Sequence, residues 1–65
     1  MTKQESIIYE FIINNHQIDL KKTEELLNVK SARAREILSN MVKKGILEKI
    51  GKTKGSYYIL KKVIK

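Results

Sequence analysis

The sequence predicts an α+β domain, three helices followed by a two-stranded β-hairpin, and three observations lead there. Apolar residues recur at three- and four-residue spacing up to Gly45, the period of helices that bury one face. Beyond Gly45 the pattern changes to two short runs rich in Ile, Leu and Tyr on either side of a glycine-bounded loop, Gly51-Lys52-Thr53-Lys54-Gly55. The helical part is itself divided by Asn14-Asn15-His16 and Asn28-Val29-Lys30, whose asparagines favour turns. With 65 residues and no cysteine, the chain is expected to form one domain with an economical aliphatic core, and neither a disulfide framework nor a thiolate metal site.

The first helix begins at Thr2-Lys3-Gln4-Glu5. In this capping-box pattern the threonine hydroxyl accepts from the Glu5 amide while the carboxylate reaches back to the Thr2 amide. Ile7, Ile8, Phe11 and Ile12 form its apolar stripe, with Tyr9 and Ile13 at the margin, and the helix runs to about residue 15. His16, the single histidine, falls at the helix end. A solvated turn residue or dipole partner is expected there rather than a ligand, because no second histidine or thiol completes a site. Gln17-Ile18-Asp19 is too short for an independent strand, yet Ile18 lies between polar neighbours and can pair as a brief third strand with the later hairpin.

Asp19 is an N-cap for the second helix, Leu20 to Leu27, whose buried pair is expected to be Leu26 and Leu27 with Thr23 or Leu20 one turn back. Asn28 suits the left-handed conformation that ends it, and Val29 plugs the turn into the third helix. Two helices joined by so short a turn form a helix-turn-helix. In the third helix Ala34, Ile37, Leu38, Met41 and Val42 make the core stripe, and Ser31, or Lys30 in its place, caps the start. Arg33, Arg35, Glu36, Ser39, Asn40 and Lys43 are turned away from that stripe. Gly45 is the left-handed residue after the last turn. Ile46 to Ile50 and Ser56 to Leu60 then form the hairpin. Leu47 faces the core with Tyr58 or Leu60, one of Tyr57 and Tyr58 packs on the core while the other covers the open face, and residues 60–65 are a basic tail.

Charge is unevenly placed. Residues 1–29 carry three basic and five acidic side chains, net −2, whereas residues 30–65 carry eleven basic and two acidic, net +9. Solubility does not require such segregation, and a cationic half attracts polyanions. The longest apolar runs are too short to span a bilayer and the N-terminus lacks the apolar core of a signal peptide, so a cytoplasmic location is expected.

The run Ile18 to Leu60, I-D-L-K-K-T-E-E-L-L-N-V-K-S-A-R-A-R-E-I-L-S-N-M-V-K-K-G-I-L-E-K-I-G-K-T-K-G-S-Y-Y-I-L, resembles the winged helix-turn-helix DNA-binding domains of bacterial transcriptional regulators. It is especially similar to the C-terminal winged helices of Fic-type and helicase-related regulators. The resemblance covers about residues 7–60 and is most specific from Lys43 to Leu60. Two positions depart from the pattern: Asn28 stands where glycine is common, and Lys30 where serine or threonine is common. The resemblance implies a winged-helix fold, with the hairpin as the wing, and a transcription regulator that binds double-stranded DNA.

On that reading the third helix enters the major groove, where base edges present distinguishable donors and acceptors. Arg33 and Arg35 are the candidates for guanine or phosphate; Ser31, Ser39 and Asn40 for bases or backbone; Lys30 and Lys43 for phosphates. Glu36 either accepts from cytosine or holds Arg33, Lys43 or Asn40 across one turn. Lys52, Thr53 and Lys54 at the wing tip are expected on the minor groove or backbone. One copy reads one half-site, so a homodimer, a longer parent chain or a partner is expected to add specificity.

Other classes fare less well. Without convergent titratable groups in a pocket the chain is expected not to be an enzyme, and neither a cofactor nor a small-molecule substrate is indicated. A membrane-surface role needs apolar stripes that the core already uses. The rival is a winged-helix protein-interaction module of a larger assembly, which would expose apolar residues on the third-helix face where this chain carries Arg33, Arg35, Asn40 and Lys43. Left-handed DNA or RNA recognition fits poorly, since the wing lacks the prolines and aromatic residue of such domains.

Overall fold

A computed structural model describes residues 2–51 and 55–61. It comprises α1 (Lys3–Asn15), α2 (Leu20–Leu27), α3 (Ser31–Lys43), β1 (Leu47–Ile50) and β2 (Tyr57–Leu60), with the two strands antiparallel. This α+β layout, three helices and then a two-stranded ribbon, is consistent with a winged helix.

Each helix starts and stops for a local reason. At the start of α1 the capping box is complete: the Thr2 hydroxyl accepts from the Glu5 amide at 3.2 Å, and Glu5 Oε1 accepts from the Thr2 amide at 3.0 Å. His16 ends the helix in the left-handed conformation, its N–H donating to the Ile12 carbonyl, and it is exposed as a solvated turn residue would be. The Asn14 and Asn15 side-chain amides donate to the Glu10 and Phe11 carbonyls, four residues back on the helix. At α2 Asp19 Oδ1 accepts from the Lys22 amide at 2.7 Å, and Asn28 closes the helix at φ 55.

Helix α3 stops at a Schellman arrangement. The Ile46 amide donates to the Met41 carbonyl and the Gly45 amide to that of Val42, with Gly45 at φ 80. At the other end Lys30 occupies the N-cap position without a side-chain hydrogen bond, and Ser31 is the first helical residue rather than the cap.

The core is Ile8 and Ile12 from α1, Ile18, then Ala34, Ile37, Leu38 and Met41 from α3, closed by Leu47 and Tyr58 of the ribbon. Leu47 pairs with Leu60 and Lys49 with Tyr58, which puts those four on one ribbon face; Glu48, Ile50, Tyr57 and Ile59 take the other. Ile18 makes a single β-bridge to the ribbon rather than the expected short third strand. Its amide donates to the Tyr58 carbonyl at 3.0 Å and the Tyr58 amide donates back at 2.7 Å, tying the α1–α2 connection to β2.

One core expectation is corrected. Leu26 is 36% exposed and Leu27 only partly buried, whereas Thr23 is fully buried. An eight-residue helix offers one narrow inner stripe, here Leu20, Thr23 and Leu27, and Leu26 falls about 100° away from Leu27. Thr23 tolerates burial because its hydroxyl donates to the Asp19 carbonyl at 2.8 Å.

Candidate nucleic-acid interface

The buried stripe of α3 determines where its polar residues point. With Ala34, Ile37, Leu38 and Met41 inward, the helical period places Glu36, Ser39 and Lys43 on the outermost line. Arg33 and Asn40 fall on one flank, and Ser31 and Arg35 on the other. All of these, and Lys30, are exposed. The face holds no large apolar side chain. Lys52, Thr53 and Lys54 lie outside the described residues.

Arg33 and Arg35 are two residues apart, so they diverge by about 200° around the helix axis and do not act as a pair. Arg33 turns toward α1. Its Nη1 donates to Glu36 Oε1 at 2.6 Å and its Nη2 to Gln4 Oε1 at 3.3 Å, so of the partners weighed for Glu36, Arg33 is the one it holds. On the same flank, one helix length further, Lys44 Nζ donates to both oxygens of Glu5 at 2.8 and 3.1 Å. Arg33 of α3 and Lys44, just past its end, thus close on the first turn of α1.

The opposite flank is different. Arg35 lines a cleft of about 570 Å³ between the start of α2, α3 and the ribbon, together with Lys21, Lys49, Asp19 and Tyr57. Among the described residues neither Arg35, Lys21 nor Lys49 forms an ion pair. Asp19 is committed to capping α2. The neighbouring Lys22 pairs with Glu25 at 3.5 Å and lies 5.9 Å from the Phe11 ring centroid.

Lys21 and Lys49 were not among the residues that the sequence singled out. Each left a faint signal. Lys21 is a cation in the first turn of α2, where the helix dipole disfavours positive charge, and Lys49 stands two residues from Leu47 on the same ribbon face.

The electrostatics of α3 follow from these placements. Its first turn holds no acidic residue and its N-cap makes no side-chain bond, so the leading amides of the helix concentrate positive potential at its start. Glu5 is held below its ordinary value of 4.5, first by the Lys44 ammonium and then by the Thr2 amide, against a smaller upward push from burial. No protein-family model, curated protein or solved structure matches this chain.

Proposed function

We propose that the chain binds double-stranded DNA as a winged-helix transcription regulator of the bacterial type, acting in the cytoplasm. Helix α3 occupies the major groove, and the duplex backbone runs along the cleft between α2, Arg35 and the ribbon. One observation carries the reading: the exposed side of α3 is polar apart from the small Ala32 and continues, on its ribbon flank, into a cleft bearing Lys21, Arg35 and Lys49 with no ion-pair partner among the described residues. A protein-interaction surface concentrates apolar side chains at its centre. Here the large apolar residues left exposed among the described residues, Ile13 and Leu26, belong to α1 and α2 instead.

Affinity on this reading comes mainly from phosphates. Lys21, Lys30, Arg35, Lys43 and Lys49 lie on or beside the proposed face, and Lys52 and Lys54, outside the described residues, follow β1 in sequence. Contact with roughly five to seven phosphates gives a slope of log K against log salt of about −5 to −6. The test is an NMR titration of the chain with a nonspecific duplex at two salt concentrations. Shifts are expected on the amides of Ser31 to Lys43, Lys21, Lys49 and Gly51 to Gly55, fading at high salt. Shifts confined to the Ile13 and Leu26 faces, or none, overturn the reading.

A further inference from the structure

We infer that Glu36 is a specificity-determining residue, which selects cytosine at the base step facing the middle of α3. The inference rests on the DNA-binding reading and deepens it. A carboxylate in the centre of a phosphate-binding face is unfavourable for nonspecific affinity, and its presence calls for a compensating use.

The geometry of Arg33 provides one. Its guanidinium divides, Nη1 going to Glu36 Oε1 and Nη2 to Gln4 Oε1, and this fork fixes the carboxylate on the outermost line of the helix while cancelling much of its charge. Only Oε1 is engaged. Among the described residues Oε2 has no partner, and the Glu36 side chain is 60% exposed. An ionised carboxylate only accepts hydrogen bonds. In the major groove a lone acceptor complements the exocyclic amine of cytosine; it is repelled by the O6 and N7 acceptors of guanine and the O4 of thymine, and adenine, which also offers an amine, sets its N7 acceptor beside it. Arg33 is on this account a positioning residue for Glu36, and Gln4 anchors Arg33 from the first turn of α1.

The experiment selects binding sites from a randomised duplex library with the unaltered chain and with Glu36→Ala, Glu36→Gln and Arg33→Ala, then measures affinities on the selected duplexes. The unaltered chain is expected to prefer cytosine at one position by about 5- to 150-fold. Glu36→Ala erases that preference while binding other duplexes at least as well. Glu36→Gln, whose amide both donates and accepts, moves the preference toward adenine. Arg33→Ala weakens the cytosine preference without replacing it. These side chains are at least half exposed, so circular dichroism is expected to show all variants folded. A library without a cytosine preference, or one that Glu36→Ala leaves in place, overturns the inference and makes Glu36 an ion-pair partner only. Failure of every variant to bind any duplex overturns the DNA reading itself.

Discussion

Replacing Lys44 with methionine tests how the helical layer is held together. The Glu5 carboxylate is buried at 3% exposure and receives the Lys44 ammonium on both oxygens, while its Oε1 also accepts from the Thr2 amide. Removing one partner of a fully buried pair costs about 3–5 kcal/mol, whereas an exposed pair is worth about 0–1 kcal/mol. Lys44 is 52% exposed, so its ammonium is already half solvated, and Glu5 keeps the Thr2 amide. Lys44→Met is therefore expected to cost about 1–2 kcal/mol near neutral pH. For a chain of this size that lowers the melting temperature by about 4–16 °C, read by circular dichroism.

The pH dependence adds a second readout. The folded-state pKa of Glu5 is lowered, so its contribution is present above the ordinary value of 4.5 and is lost as pH falls through the folded value. Without Lys44 the main cause of the lowering is gone and burial pushes the other way. The variant has less to lose on acidification, and the gap between the two melting curves narrows below pH 4.5. A variant that melts with the parent at neutral pH, or a gap of constant size down to strongly acidic pH, refutes the reasoning.

Further outcomes follow from single contacts. Gly45→Ala places a Cβ with no atom within 4 Å, so its cost is purely the left-handed backbone, about 1–2 kcal/mol, measured by urea unfolding with an unchanged m-value. Asp19→Ala removes the α2 cap and costs about 0.5–2 kcal/mol, while Asp19→Asn retains most of the stability in the same assay. Leu38→Ala, at a side chain with no exposure, costs about 2–5 kcal/mol and is expected to abolish the dispersed amide spectrum of so small a domain. On a nonspecific duplex Arg35→Ala and Lys49→Ala each reduce the salt slope by about one, and Arg33→Ala, whose cation is already paired, changes it less.

What was legible in the sequence was what neighbours in sequence decide. The capping box at Thr2 and Glu5, the Asp19 cap, the left-handed Asn28 and Gly45, and the apolar stripe of α3 each depend on a span of a few residues. The pairing of Ile18 with the hairpin was readable too, because an isolated apolar residue between helices has few places to go, whereas its partner Tyr58 was not. Contacts between distant segments were not. Glu5 reads as a cap, and nothing near it announces Lys44, 39 residues away. Leu26 read as core because hydrophobicity was counted before the helix's rotation was set by Thr23. The same limit applied to the site, where Arg33 and Arg35 were equivalent until α1 claimed one flank of α3 and the cleft claimed the other.

That division of α3 gives the charge asymmetry a direction. The +9 of residues 30–65 is not presented evenly, since Arg33 is paired with Glu36 and Lys44 with Glu5, all on the α1 side. Among the described residues Arg35 and Lys49, which have no such partner, join Lys21 on the ribbon side, while Lys43 lies on the outermost line of α3 and Lys30 at its start. Glu5 serves a second purpose as part of the α1 capping box, and Glu36 keeps one carboxylate oxygen without a hydrogen-bond partner among the described residues. A uniformly cationic helix would bind a duplex in many orientations with similar energy. On the proposed DNA-binding reading, neutralising one flank removes the orientations that lead with α1, and the positions of two carboxylates, more than the number of lysines, would orient the helix in the groove.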